Sequence, residues 1–148
     1  MANQEHLDVL KQGPDRWNQW RQRYPGIQPD LGFAQLSFAN LRSLDLQRAD
    51  LSFADLHAAR LDGANLAEAD LHLAHLNSAS LAQADLRHAN LTGADLTNAD
   101  LTGADLSFAN LRVARLSGAI LQETKLHAAN MDGAIIENIK KRRGLLGR

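Results

Sequence analysis

Between Leu31 and Ile136 the chain places a large apolar residue at every fifth position and a small one two places before it. Of the 22 central positions, 20 are leucine, and Met131 and Ile136 complete the series. Of the 22 partner positions, 19 are alanine, the exceptions being Pro29, Leu44 and Thr124. An α-helix turns about 100° per residue, so a five-residue step rotates about 140° net and smears the leucines around its surface. A strand alternates faces, so an odd step sends successive leucines to opposite sides. A chain that turns a corner in every pentad buries all of them, with its own axis as the core. That is a solenoid.

The other positions agree with this reading. A large and a small inward side chain alternate, as interdigitated packing requires. The position two after the centre is often glycine (Gly63, Gly93, Gly103, Gly118, Gly133), which suits turns that need φ > 0. No proline follows Pro29, so the backbone donors needed between coils are intact. The departures at Leu44 and Thr124 predict local irregularity near the two ends of the coil.

Runs such as Ala84-Asp85-Leu86-Arg87-His88 and Ala104-Asp105-Leu106-Ser107-Phe108 resemble the pentapeptide-repeat family, over roughly residues 29–138. The resemblance implies an all-β solenoid, a right-handed quadrilateral β-helix with four pentads per coil. About five coils follow, stacked at ~4.8 Å into a rod of roughly 26 Å.

The flanks differ in kind. Residues 1–28 hold both tryptophans and the only tyrosine. Asn3 is placed to start a short helix through Lys11, with Gly13 ending it. Pro14 suits a second helix start, and Trp17, Trp20 and Tyr24 share one face before Pro25. This predicts an N-terminal α-helical cap over the raw leucine layer and unpaired edges of the first coil. Trp17-Asn18-Gln19-Trp20-Arg21 resembles N-terminal caps of some bacterial members of the family; a partner-binding aromatic patch is the rival reading. Residues 139–148 form a basic tail containing Lys140-Lys141-Arg142-Arg143, read as a solvated or capping segment before nucleic acid or anionic lipid. Leu145 and Leu146 are candidates to fold over the coil end or meet a second subunit.

With four pentads per coil, residues twenty apart are stacked neighbours. Asp55, His75, Asp95 and Arg115 then share a column, as do Arg48, Glu68 and His88, and Arg42 lies beneath Asp62. These columns predict mutual neutralisation across coils. One side departs from this. Its column before the centre runs Asp30, Asp50, Asp70, Asn90, Asn110, Asn130, and its column two after runs Phe33, Phe53, Leu73, Gly93, Val113, Gly133. Outward Phe33, Phe53 and Leu73 beside Asp30, Asp50 and Asp70 form a candidate interaction face for a protein partner or for self-association. The competing explanation is that the N-terminal cap folds down over Phe33 and Phe38.

Composition adds mostly exclusions. The 148 residues suffice for one domain, and the absence of cysteine removes disulfide and thiol chemistry. No apolar run approaches a membrane span, the N-terminus lacks signal-peptide regions, and a cytoplasmic location is expected. His72 and His75, near Asp70 and Asp55, match no ligand motif, so no metal site is expected. No nucleophile elbow, P-loop, dinucleotide fingerprint or zinc signature occurs. The expectation is a protein without catalytic residues or cofactor, serving as a structural or interaction module. The alternative is a DNA mimic that binds a type II topoisomerase, as gyrase-protecting, quinolone-resistance members of the family do. Residues 31–138 carry 13 Asp and Glu against 7 Lys and Arg, yet the whole chain is only −1, which speaks against a mimic of phosphate charge.

Overall fold

The computed structural model describes residues 1–140, so the expectations for Lys141 to Arg143 and for Leu145 and Leu146 concern positions outside the described residues. From Asp30 onward the backbone turns a corner every five residues and passes over itself every twenty. Single-residue parallel bridges join Asp30 to Asp50, Gln35 to Asp55, Asn40 to Arg60 and Asp45 to Asn65, and the same step continues to Ile120 and Lys140. Four pentads therefore close one coil, and each side contributes one bridged residue.

One pentad accounts for all five of its backbone donors. Leu51 N–H donates up to Asp70 O at 2.8 Å, and Phe53 N–H donates up to His72 O at 2.9 Å. Asp55 N–H donates down to Ala34 O at 2.9 Å, and Ala54 N–H closes the turn on Leu51 O at 3.1 Å. The fifth, Ser52 N–H, is taken by the Asp50 side chain at 2.9 Å. Buried backbone polar groups are costly when unpaired, so this pattern is what allows so thin a coil to have a dry interior.

The glycines two after the centre do lie at positive φ, and the same conformation extends beyond glycine. The third turn residue lies at positive φ in all 22 pentads, and 17 of these residues are not glycine, among them Phe33 (φ 61) and Val113 (φ 51). Left-handed backbone costs an L-residue on the order of 1 kcal/mol. The cost is offset because that residue's N–H donates to the next coil, as Phe53 does. At Gly93 the glycine also supplies room. A Cβ on Gly93 would stand 2.6 Å from Leu73 Cδ2, because the side chain below leans up into that space.

Leucine and alanine layers are buried without interruption from Leu41 to Ala119. Leu36 and Ala39 in the first coil, and Leu121, Leu126 and Met131 in the last, are only half-buried. The irregularity expected at Leu44 and Thr124 is not seen. Asn65 N–H meets Leu44 O, and Lys125 N–H meets Ala104 O, both at 2.9 Å. Leu44 belongs to the same buried cluster as Leu10 and Trp17, where a larger side chain fills the end of the core. The Thr124 hydroxyl donates to Leu101 O at 2.7 Å, so its polarity is satisfied.

Two helices precede the coil, α1 (Gln4–Lys11) and α2 (Pro14–Arg23). Asn3 caps α1 through its side chain, which accepts from Glu5 and His6 N–H, and Pro14 opens α2. Trp17 is fully buried and its indole N–H donates to Asp45 O at 2.8 Å.

In the middle coils, Leu86→Ala is expected to lower unfolding free energy by about 2–5 kcal/mol through lost burial and a cavity. Ala84→Leu is expected to cost about 1–3 kcal/mol through overpacking. Urea unfolding followed by circular dichroism measures both; two neutral results would contradict the inward assignment.

Candidate interaction face

The apolar column lies on the side that begins at Asp30. Each of its members is the third residue of a turn, a position whose side chain points outward while its N–H serves the ladder. The Phe33 and Phe53 rings stack with centroids 4.6 Å apart and planes within 2° of parallel. Phe33 is 53% exposed, Phe53 41% and Leu73 40%. The helices do not cover Phe33, and Phe38 on the next side is the most exposed of the four phenylalanines. Above Leu73 the column narrows at Gly93, into whose space Leu73 leans.

Asp30, Asp50 and Asp70 flank this column, bridged one above the next and half-buried. Each carboxylate faces its own pentad. Asp30 accepts from Gly32 N–H at 3.3 Å, Asp50 from Ser52 N–H and its hydroxyl, and Asp70 from His72 N–H at 3.0 Å. Asn90, where the column changes from acid to amide, donates to Asp70 at 3.2 Å. The same bracing recurs at every Asp or Asn in this position of the pentad; 14 such side chains accept from the amide two residues on.

That orientation corrects the expectation of neutralisation across coils. Among the described residues, the ion pairs within 4 Å are Arg87 with Asp85 (2.6 Å) and Arg21 with Asp45 (3.7 Å), and neither joins stacked coils of one column. The carboxylates are turned along their own pentads, and Asp62 takes the Ser80 hydroxyl rather than pairing with Arg42. The histidines have other neighbours as well. His72 packs edge-on against Phe53 with centroids 5.5 Å apart, and His57 Nδ1 sits 2.7 Å from the Asn77 amide nitrogen. Among the described residues no group of three or more His, Cys, Asp or Glu is arranged to hold a metal ion.

At the first coil the structure brings Trp17 and Trp20 together, centroids 5.0 Å apart, with the His6 ring 4.9 Å from Trp20. Tyr24 stands apart, exposed at the end of α2 with the Arg23 guanidinium 5.6 Å from its ring. The residues that sequence reasoning missed are polar. Asn18 pairs with Ser43 O and Asp45 N–H, His6 Nδ1 accepts from Asp30 N–H, and buried Arg21 donates to Ile27 O and Gln47 O at 2.8 Å each. Burial pushes the Arg21 guanidinium below its ordinary range, and Asp45 opposes that shift. A second aromatic column also escaped notice, with His88 stacked on Phe108 at 5.0 Å and His127 edge-on at 5.4 Å. The twenty-residue register, applied to every side, contains it.

The model of the pentapeptide repeats family matches residues 30–66, 69–107 and 99–138. The chain belongs to the pentapeptide-repeat family. Among solved structures it is similar to a pentapeptide repeat protein from Nostoc, with 36% identity, a TM-score of 0.57, and coverage of 78% of this chain and 91% of that one. It is also similar to a pentapeptide repeat protein of the Arabidopsis thaliana thylakoid lumen, with 32% identity, a TM-score of 0.51, and coverage of 68% of this chain and 63% of that one. The plasmid-mediated fluoroquinolone resistance protein QnrB1 matches at 21% identity and a TM-score of 0.60, over 75% of this chain and 59% of its own, a likeness of fold alone. The chain thus spans less than two thirds of the Arabidopsis protein and of QnrB1. No curated protein matches the sequence. Among the described residues no helix is long and apolar enough to cross a membrane.

The bracing has a pH signature. A hydrogen bond from the Ser37 side chain holds Asp55 below the ordinary 3.8, the Arg87 side chain does so for Asp85, and the Ser107 side chain for Asp105. A carboxylate whose pKa is lower folded than unfolded stabilises above the unfolded value and loses that contribution as pH falls through the folded one. Asn keeps the acceptor oxygen without the charge. The combined variant Asp55→Asn, Asp85→Asn, Asp105→Asn is therefore expected to lose less Tm between pH 7 and pH 3 than the wild type, by scanning calorimetry. Equal losses would remove these carboxylates from the acid response.

Proposed function

We propose that the protein is a non-catalytic interaction module, a right-handed quadrilateral rod of about five coils closed at its N-terminal end by the helical cap. The rod presents the Phe33–Phe53–Leu73 column to a protein partner. The observation that carries this reading is the exposure of that column. Three large apolar side chains stand in line, two of them stacked ring on ring, outside the core and outside the cover of the helices. A contiguous apolar strip on a soluble surface is a usual mark of docking. The coil does not need it for its own stability, since the same turn position elsewhere carries Ser, Gln, Asn or Glu.

The flanking carboxylates keep one oxygen each beyond the turn bond, which favours a partner whose apolar residues are bordered by Lys or Arg. The DNA-mimic alternative has less behind it, because the rod's aspartates are engaged within their pentads and the net charge of the whole chain is only −1. Among the described residues the axis of the coil is filled by leucine and alanine. Phe53→Arg places a charge in the middle of the strip and, being on an exposed turn, leaves the core untouched. In affinity capture from host lysate read by mass spectrometry, a protein retained by the wild type and lost with Phe53→Arg is the expected outcome. Identical captures would contradict the face, and gyrase subunits among the retained proteins would favour the mimic.

A further inference from the structure

The helices meet the first coil unevenly. On the side at Asp30, Asn3 N–H donates to Asp30 O at 3.0 Å and His6 accepts from Asp30 N–H at 2.9 Å. On the side at Ser43–Gln47, Asn18, Trp17 and Arg21 take the carbonyls of Ser43, Asp45 and Gln47, and Asn18 takes the Asp45 amide. On the two sides between, the amides of Gln35 and Asn40 and the carbonyls of Gln35, Ser37, Asn40 and Arg42 have no partner among the described residues. In every later coil the corresponding groups are paired with the coil beneath. Between these sides and α1 runs a groove of about 590 Å³. Its floor is the half-buried Leu36 and Ala39, its wall includes Leu7 and Leu10, Phe33 lies at one end, and among the described residues Lys11 is the one charged side chain that lines it.

We propose that this groove binds an extended peptide segment with a small–acidic–leucine pattern repeated at five-residue spacing, laid parallel under the first coil in the register of a missing coil. The ladder one coil up defines the pairing: Asp55 N–H donates to Ala34 O, and Leu36 N–H donates to Asp55 O. By the same geometry the small residue's carbonyl takes Gln35 N–H, the leucine amide donates to Gln35 O, and the leucine side chain lies under Leu36. The second small–acidic–leucine group repeats this at Asn40 and Leu41. Adding a strand to an exposed edge gives affinity through backbone bonds and specificity through the alternate side chains. Lys11 adds the preference for acidic residues. The occupant is a flexible segment rather than a second coil, because α1 forms the opposite wall and leaves no room for a whole coil to stack.

The test uses the full chain and a fluorescein-labelled octapeptide, Ala-Asp-Leu-Ser-Gly-Ala-Asp-Leu, followed by fluorescence anisotropy. Saturable binding is expected, at least about 10-fold weaker when the first leucine amide is N-methylated, which removes one hydrogen bond and adds bulk at the edge. Lys11→Glu, an exposed change, is expected to weaken binding several-fold at low salt. Of the apolar column only Phe33 lines the groove, so Phe53→Arg, one coil further up, is expected to leave binding unchanged. Amide exchange at Gln35 and Asn40, followed by NMR, is expected to slow when the peptide is added. The proposal is overturned by absence of saturable binding, by equal binding of the N-methylated or a scrambled peptide, or by laurate binding where the peptide does not.

Discussion

Each coil is held to the next by backbone amides, and the rest of the molecule follows from how those amides are shared. Two of every five donate upward, one donates downward, one closes the turn, and one is left for a side chain. That last donor is why Asp and Asn recur before the leucine. An acceptor there satisfies a group that would otherwise face either water or a neighbouring side chain. The same ladder accounts for aromatic and β-branched residues holding left-handed backbone at exposed turns. Left-handed backbone at that residue brings the next amide round to close the turn on the leucine carbonyl, as Ala54 does on Leu51, so the coil fixes the turn whichever residue occupies it.

This division leaves the outer surface free to vary. Neither the apolar column nor the aromatic stack at Phe108 contributes donors or acceptors to the ladder beyond its backbone, so both are compatible with any partner or with none. The ends are less free. A coil without a neighbour exposes ladder groups and a leucine layer together, a template for unwanted association. At the N-terminal end, Trp17, Asn18, Arg21, His6 and Asn3 meet half of those groups with side chains and one amide. The half left unmet coincides with the half-buried Leu36 and Ala39, so apolar surface and unpaired amides fall in one groove.

Much of the fold is legible in the sequence because a five-residue apolar period is incompatible with helix and strand alike. The stacking of residue on residue at twenty follows once four pentads close a coil. The orientation of polar side chains does not follow. Asp55, His75, Asp95 and Arg115 do share a column, but Asp55 and Asp95 are bonded to the amides of their own pentads and form no ion pair within 4 Å with His75 or Arg115, and composition alone does not reveal that orientation. The positive φ of the glycines is legible in the pattern, whereas the Leu73 side chain leaning over Gly93 is not. The helices were visible from Asn3, Gly13 and Pro14. Tyr24 lay on the right helical face by spacing, yet α2 ends before it. The ladder groups met by His6 and Arg21 carry no pattern of their own, since each answers a single backbone group in a coil distant along the chain.

The most direct measurement is residue-resolved amide hydrogen exchange by NMR across the middle coils. Where the side chain before the leucine is Asp or Asn, all five amides of the pentad have partners, as at Ser52, Thr92 and Thr102. Where that residue is Arg60, His75, Ser80 or Arg115, the amide two places on has none among the described residues, which singles out Asp62, Asn77, Ala82 and Ser117. The account predicts slow exchange throughout the pentads except at those four amides. Uniform protection at all of them, or fast exchange at Ser52, Thr92 and Thr102, would contradict the shared-donor scheme on which the structure rests.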